Sequence, residues 1–182
     1  MNRTLALVLY GIGLALISHF AIVFAAPYLA TDVVIARIDK VRALTPNELR
    51  VAPPTSPPRD LVPMGNADTI TASSWLDLRQ GPLLFEAPLP RRGEYWSVSI
   101  FAHDSDTDFI MSDRDVQAGE PARVLIYGPG QVPPIQSDAI IARVSTERAF
   151  LLVRAIMRDR NDNADVEALS AELRQATLRP AP

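Results

Sequence analysis

The chain has 182 residues, with 18 Lys and Arg against 21 Asp and Glu, two His, no Cys and 16 Pro. That length holds one domain and an appendage. A net charge of −3 with interspersed signs lacks the basic face that nucleic acid binding needs, and the absence of Cys excludes disulfide frameworks, thiolate metal sites and cysteine nucleophiles.

Residues 1–30 come first. Leu5 to Ala30 holds 21 apolar residues in 26 and no Asp, Glu, Lys or Arg, and about 20 such residues suffice to cross a bilayer as a helix. A cleaved signal peptide would use Arg3 as its basic start and a cut after Val23-Phe24-Ala25. The length favours an uncleaved transmembrane helix, because the apolar core of a signal peptide usually runs only about 7–15 residues. Arg3 precedes the segment and Arg37, Lys40 and Arg42 follow it, so charge counting leaves direction open. The cysteine-free, signal-like layout, taken together with the family resemblance described below, favours a single pass through the inner membrane with the domain in the periplasm. His19 is an ionisable group in mid-segment. Gly11, Ala15 and His19 fall at i, i+4 and i+8, a stripe that lets a partner helix approach closely; a plain anchor with a neutral imidazole is the simpler alternative.

Residues 31–63 read as a short amphipathic stretch, Asp32 to Leu44, followed by a segment carrying Pro46, Pro53, Pro54, Pro57, Pro58 and Pro63. Clustered prolines favour extended geometry, so the segment is expected to be a semi-rigid spacer holding a domain off the membrane.

Residues 64–182 should form the domain, and their apolar period is mostly two. Ile70, Ala72, Ser74, Leu76 and Leu78 alternate with Thr69, Thr71, Ser73, Trp75 and Asp77, as in a strand with one core face. Gly81-Pro82 breaks it; Leu83, Phe85, Ala87 and Leu89 follow, then the turn Pro90-Arg91-Arg92-Gly93, then Trp96, Val98, Ile100 and Ala102. These three strands read as an antiparallel meander. Shorter runs at 109–111, 123–127, 139–144 and 149–157 bring the number to about seven, the pattern of a mainly β antiparallel two-sheet sandwich or jelly-roll-like domain. The run 149–157 fits a buried strand or a helix equally well. Asp162 and Asp165 can cap a C-terminal helix with Val166, Leu169, Leu173 and Ala176 as its apolar stripe.

Chemistry has few candidates. Asp104, Asp106 and Asp108, followed by Asp113 and Asp115, place carboxylates at alternate positions that suit a hard cation such as calcium. The EF-hand motif itself is absent, because Phe109 stands where its glycine is required. A solvated acidic turn is the alternative. Ser99 and His103 would lie about 13 Å apart along a strand, too far for a nucleophile and its base, and the chain has no Gly-x-Ser-x-Gly elbow. No catalytic residue is therefore assigned. Trp75 among Thr69, Thr71, Ser73 and Asp77 could stack a sugar or line a cleft, or it could be covered by a neighbouring element.

Gly65-Asn66-Ala67-Asp68-Thr69, Trp75-Leu76-Asp77-Leu78, Gly81-Pro82, Glu94-Tyr95-Trp96-Ser97-Val98 and Gly128-Pro129-Gly130 together resemble the domain of unknown function 1254 family. Asn66, Asp68, Thr69, Trp75, Asp77, Tyr95 and Ser97 match its motifs position by position, and the resemblance covers roughly residues 60–160. It implies a β-rich fold and a bacterial envelope location. Larger members carry a second domain of unknown function, family 1214, on the same chain, which implies a separate protein partner here. The expected function is a non-catalytic binding or assembly module that pairs with another membrane protein. The alternative is a ligand-binding or hydrolytic domain acting on envelope glycans or lipids through the Trp75/Asp77 face, with calcium at the acidic turn.

Overall fold

The computed structural model describes residues 2–42, 45–54, 66–90, 94–117, 119–133 and 137–181. The domain start at Met64, the family residue Gly65, the prolines at 57, 58 and 63 and the turn residues Arg91 to Gly93 lie outside them.

A single helix, α1, runs Arg3–Arg42, roughly 60 Å at 1.5 Å per residue. The apolar stretch and the amphipathic stretch are therefore one element. Pro27 lies inside it and withholds one backbone N–H, yet helical geometry continues on both sides. The first part is apolar and exposed on every side: Leu7, Tyr10 and Phe24 are 71 %, 72 % and 71 % exposed. The second part turns one face inward, burying Ile35 and Ile38.

Among the described residues nine strands make two sheets. One contains β1 (Arg50–Ala52), β2 (Thr69–Asp77), β4 (Trp96–Ala102), β5 (Thr107–Ser112) and β8 (Arg148–Ile156), in the order β1-β2-β8-β4-β5 and antiparallel throughout. The other contains β3 (Leu83–Ala87), β6 (Ala122–Tyr127), β7 (Ile140–Arg143) and β9 (Thr177–Pro180), in the order β7-β6-β3-β9, with β6 and β7 parallel. Between them Ile70, Leu76, Phe85, Val98, Ile100, Val124, Ile126, Leu151 and Val153 form the core, each buried aliphatic side chain contributing about 1.5–3 kcal/mol. This is the mainly β two-sheet sandwich that the alternation predicts. Helix α2 (Asn163–Leu173) follows, capped by Asp162, whose Oδ1 accepts from Ala164 N at 2.9 Å, and it sets Leu169 and Leu173 against the core. Asp165, in the first turn, accepts at Oδ2 from Arg158 N at 2.9 Å, tying the helix to the end of β8.

Three features correct or complete the linear reading. The first three long strands are not a meander, because β3 belongs to the opposite sheet while β2 and β4 flank β8. Leu78–Gln80 form a 3-10 turn and Gly81 takes φ 128°, a conformation glycine adopts freely, so the chain crosses the sandwich instead of reversing within one sheet. The ambiguous run at 149–157 is the central strand β8: Ala149, Leu151, Val153 and Ala155 enter the core, while Phe150 and Leu152 lie half-buried on the outer face. Two short edge strands complete the sheets. β1 lies within the stretch read as a spacer, and β9 ends on Pro180, which a strand tolerates only at an edge.

Candidate functional site

The most densely bonded polar cluster involving α1 lies where it meets the five-stranded sheet. The register sets Ala102 beside Ala149, so His103, just past β4, and Arg148, opening β8, are neighbours. His103 Nε2 is 2.9 Å from Asp32 Oδ1, and Arg148 Nη1 is 3.4 Å from the same oxygen. Tyr28, one helical turn before Asp32, meets the His103 ring edge-on with centroids 5.2 Å apart. Ser105 Oγ donates to the Pro27 carbonyl at 3.1 Å and lies 2.8 Å from Thr31 Oγ1. His103 N donates to Thr146 Oγ1 at 2.9 Å, and that hydroxyl donates to the Arg148 carbonyl at 2.7 Å. On the other side of Arg148, its guanidinium lies 5.0 Å from the Trp75 ring centroid, a cation–π contact. Tyr28, Asp32, Ile35 and Ile38 thus form one stripe of α1 turned toward the domain.

Asp77, at the same end of the sheet, is committed to the fold. Its carboxylate takes both arms of the Arg79 guanidinium, Nε to Oδ1 at 2.8 Å and Nη2 to Oδ2 at 2.6 Å, and Oδ1 also accepts from Arg79 N at 3.2 Å. Asn47 closes the backbone side, accepting from Asp77 N at 2.8 Å and donating to its carbonyl at 3.1 Å. The Arg79 hydrogen bonds hold the carboxyl below the usual carboxylate range against an opposing contribution from burial, with Arg148 adding a smaller attraction. Trp75 and Asp77 are therefore adjacent, as the alternation requires, but the chain's own Arg148 and Arg79 already engage them.

The other motif residues sit at the far end of the same sheet. Asn66 Oδ1 accepts from Asp68 N at 2.9 Å, and its carbonyl accepts from Thr69 Oγ1 at 2.9 Å, forming the turn that starts β2. Asp68 and Arg160 are 4.0 Å apart. The Tyr95 carbonyl accepts from Ile156 N at 3.0 Å, and Ser97 is buried beside Arg154. Thr69 and Asp77 bound a nine-residue strand, so the two groups are roughly 26 Å apart and make no common site. Gly128, in the Gly-Pro-Gly motif, permits close approach: a Cβ there would stand 2.9 Å from Leu78 Cβ. Gln131 spans the same contact, donating to the Leu78 carbonyl at 2.5 Å.

The acidic turn does not converge on one point. Asp104 Oδ1 accepts from Asp106 N at 3.3 Å, while Asp108 Oδ2 accepts from Ser145 N and Oγ at 2.6 and 2.8 Å. Among the described residues no three His, Asp or Glu side chains form a group able to hold a metal. On α1, a Cβ at Gly11 would meet nothing within 4 Å, so the stripe shared with Ala15 and His19 is open. Linear reading missed Tyr28, Asp32, His103 and Arg148 as a group; Asp32, the first charge after 28 residues without one, was the available signal.

The solved VPA0106 protein of Vibrio parahaemolyticus matches with a TM-score of 0.65 at 16 % identity, over 88 % of this chain and 36 % of that one. At that identity the likeness speaks for the fold. An uncharacterised protein from Burkholderia cenocepacia matches with a TM-score of 0.48 at 14 % identity, over 82 % of this chain and 46 % of that one. The chain thus spans about a third of the Vibrio protein's length and under half of the Burkholderia protein's. No curated protein matches. The profile of the family described as Protein of unknown function (DUF1254) covers residues 46–177, taking in β1 to β8 and α2, and the chain belongs to that family.

Proposed function

We propose that this chain is a membrane-tethered, non-catalytic module of the bacterial envelope that assembles with another membrane protein. The observation that carries the reading is the contrast within α1. Its first part presents apolar side chains on every side, as a lipid-facing helix does, with the open Gly11/Ala15/His19 stripe available to a second helix. Among the described residues α1 is the one helix long and apolar enough to cross a membrane. The partner in this reading is a membrane protein carrying the family 1214 domain.

In this reading the protein sits in the inner membrane with its sandwich in the periplasm, and α1 is a mount. Asp32, His103, Arg148 and Tyr28 fix the sheet directly to the helix. Crosslinking of native membranes followed by mass spectrometry tests the assembly: links from the domain or from the ends of α1 to a second membrane protein are expected, and recovery of monomer alone contradicts it.

A further inference from the structure

The contacts of α1 have an order. Pro27 and Thr31 touch Ser105, in the turn leading into β5; Tyr28 and Asp32 touch His103, at the end of β4; Asp32 also reaches Arg148, at the start of β8, and Arg148 reaches Trp75 on β2. In the sheet order β1-β2-β8-β4-β5, successive contacts step from the β5 side toward the β1 side as the helix leaves its apolar part. The chain beyond α1 agrees, because Asn47 bonds to Trp75 and Asp77 on β2 before β1 adds at the outer edge. The helix therefore crosses the strands near their ends, and the β5 edge points back along it toward the apolar stretch.

The geometry points to the lipid headgroup layer as the binding partner of the β4–β5 turn and the edge strand β5. This rests on the reading that α1 spans a bilayer. The residues from Leu5 to Ala26 cover roughly 33 Å at 1.5 Å per residue, the thickness of the hydrocarbon core, which sets Pro27 and Tyr28 at the boundary where interfacial aromatics reside. Ser105, bonded to Pro27 and Thr31, is held at that level. The sandwich rests on the membrane with β5 lowermost. That placement covers an edge that among the described residues pairs on one side only, and such an edge offers backbone groups to other chains. Arg50, on the opposite edge four strand spacings away, stands roughly 19 Å from β5.

The absence of native Cys makes single-site labelling direct. The full chain is reconstituted in vesicles of phosphatidylcholine and phosphatidylethanolamine, zwitterionic lipids that suit an edge carrying Asp104, Asp106 and Asp108. A donor fluorophore is attached at Asp106→Cys, Thr107→Cys or Arg50→Cys, all exposed positions, with acceptors on the lipid headgroups. A spin label at Phe20→Cys reports immersion. The expected result is energy transfer at both 106 and 107 that half-saturates at a severalfold lower acceptor density than at 50, with the label at 20 shielded from a water-soluble nickel chelate. Equal transfer from all three sites, with 20 still shielded, overturns the seat and leaves the anchor standing. A label at 20 open to the chelate overturns both. Transfer greater from 50 than from 106 and 107 inverts the sheet and also refutes the proposal.

Discussion

The two parts of α1 are built from similar side chains but face different surroundings. From Leu5 to Leu29 large apolar residues are exposed on all sides, whereas a few residues further on Ile35 and Ile38 are buried and the stripe they share carries Tyr28 and Asp32 into a polar cluster. Apolar content alone does not distinguish a helix that needs lipid from one that needs a protein surface; the periodicity of its polar residues does. Before residue 31 there is no charged position after Arg3, while afterwards Asp32, Arg37, Asp39 and Lys40 leave one side apolar.

The largest effect that can break this contrast is a charge in the first part. Leu14→Arg places a cation in mid-segment, at a cost of about 2.5–3.5 kcal/mol, and should shift the protein from carbonate-resistant membranes toward the soluble fraction by roughly 100-fold. Unchanged fractionation would mean that lipid is not what this part faces. A change in the second part should act on docking alone. Ile38→Ala removes a buried aliphatic side chain at a cost of about 2 kcal/mol, which should accelerate trypsin cleavage at Arg37 and Lys40 severalfold without altering membrane retention.

Within the domain, Gly128→Ala loads the contact between Leu78 and Gly128, outside the α1 cluster. The added methyl meets Leu78 Cβ at 2.9 Å and should cost about 1–3 kcal/mol, lowering Tm while trypsin sensitivity of α1 below the transition stays at its original level. The smallest effects are electrostatic. Trp75→Leu removes a cation–π contact of about 0.5–1 kcal/mol and should loosen Arg148, and with it Asp32, read as a modest rise in hydrogen exchange around residue 32. Asp77 has a lowered pKa in the folded protein, so its stabilisation is fully present above the unfolded carboxylate value of about 3.9 and is lost as pH falls through the folded value. Asp77→Asn should flatten the acid limb of the stability curve between those two values, as measured by urea titration across pH.

Much of the sandwich was legible from residues alone. The alternation in β2 and β4 identified their core faces, and Asp162 announced α2. What escaped was non-local. No period within 69–102 tells whether β3 pairs with β2 or crosses to the other sheet; that depends on β8, which inserts between β2 and β4 from some fifty residues further along. β1 was hidden because three residues between Pro46 and Pro53 read as spacer, and only pairing of Arg50–Ala52 with Thr71–Ser73 makes them a strand. The alternation sets Trp75 and Asp77 on one face of β2, where Trp75 is half-buried and Asp77 buried. Their engagement by Arg148 and Arg79 could not be read from spacing, since Arg148 arrives from a different strand.

The Asp32–His103–Arg148 cluster fixes the domain to α1. Paired spin labels at Phe20→Cys and Arg50→Cys, in the otherwise cysteine-free chain reconstituted in bilayers, measure this directly by electron–electron double resonance. A single narrow distance distribution, broadened by Asp32→Ala, is the predicted result. A broad distribution spanning tens of ångströms in the unaltered chain, unchanged by that substitution, would contradict it.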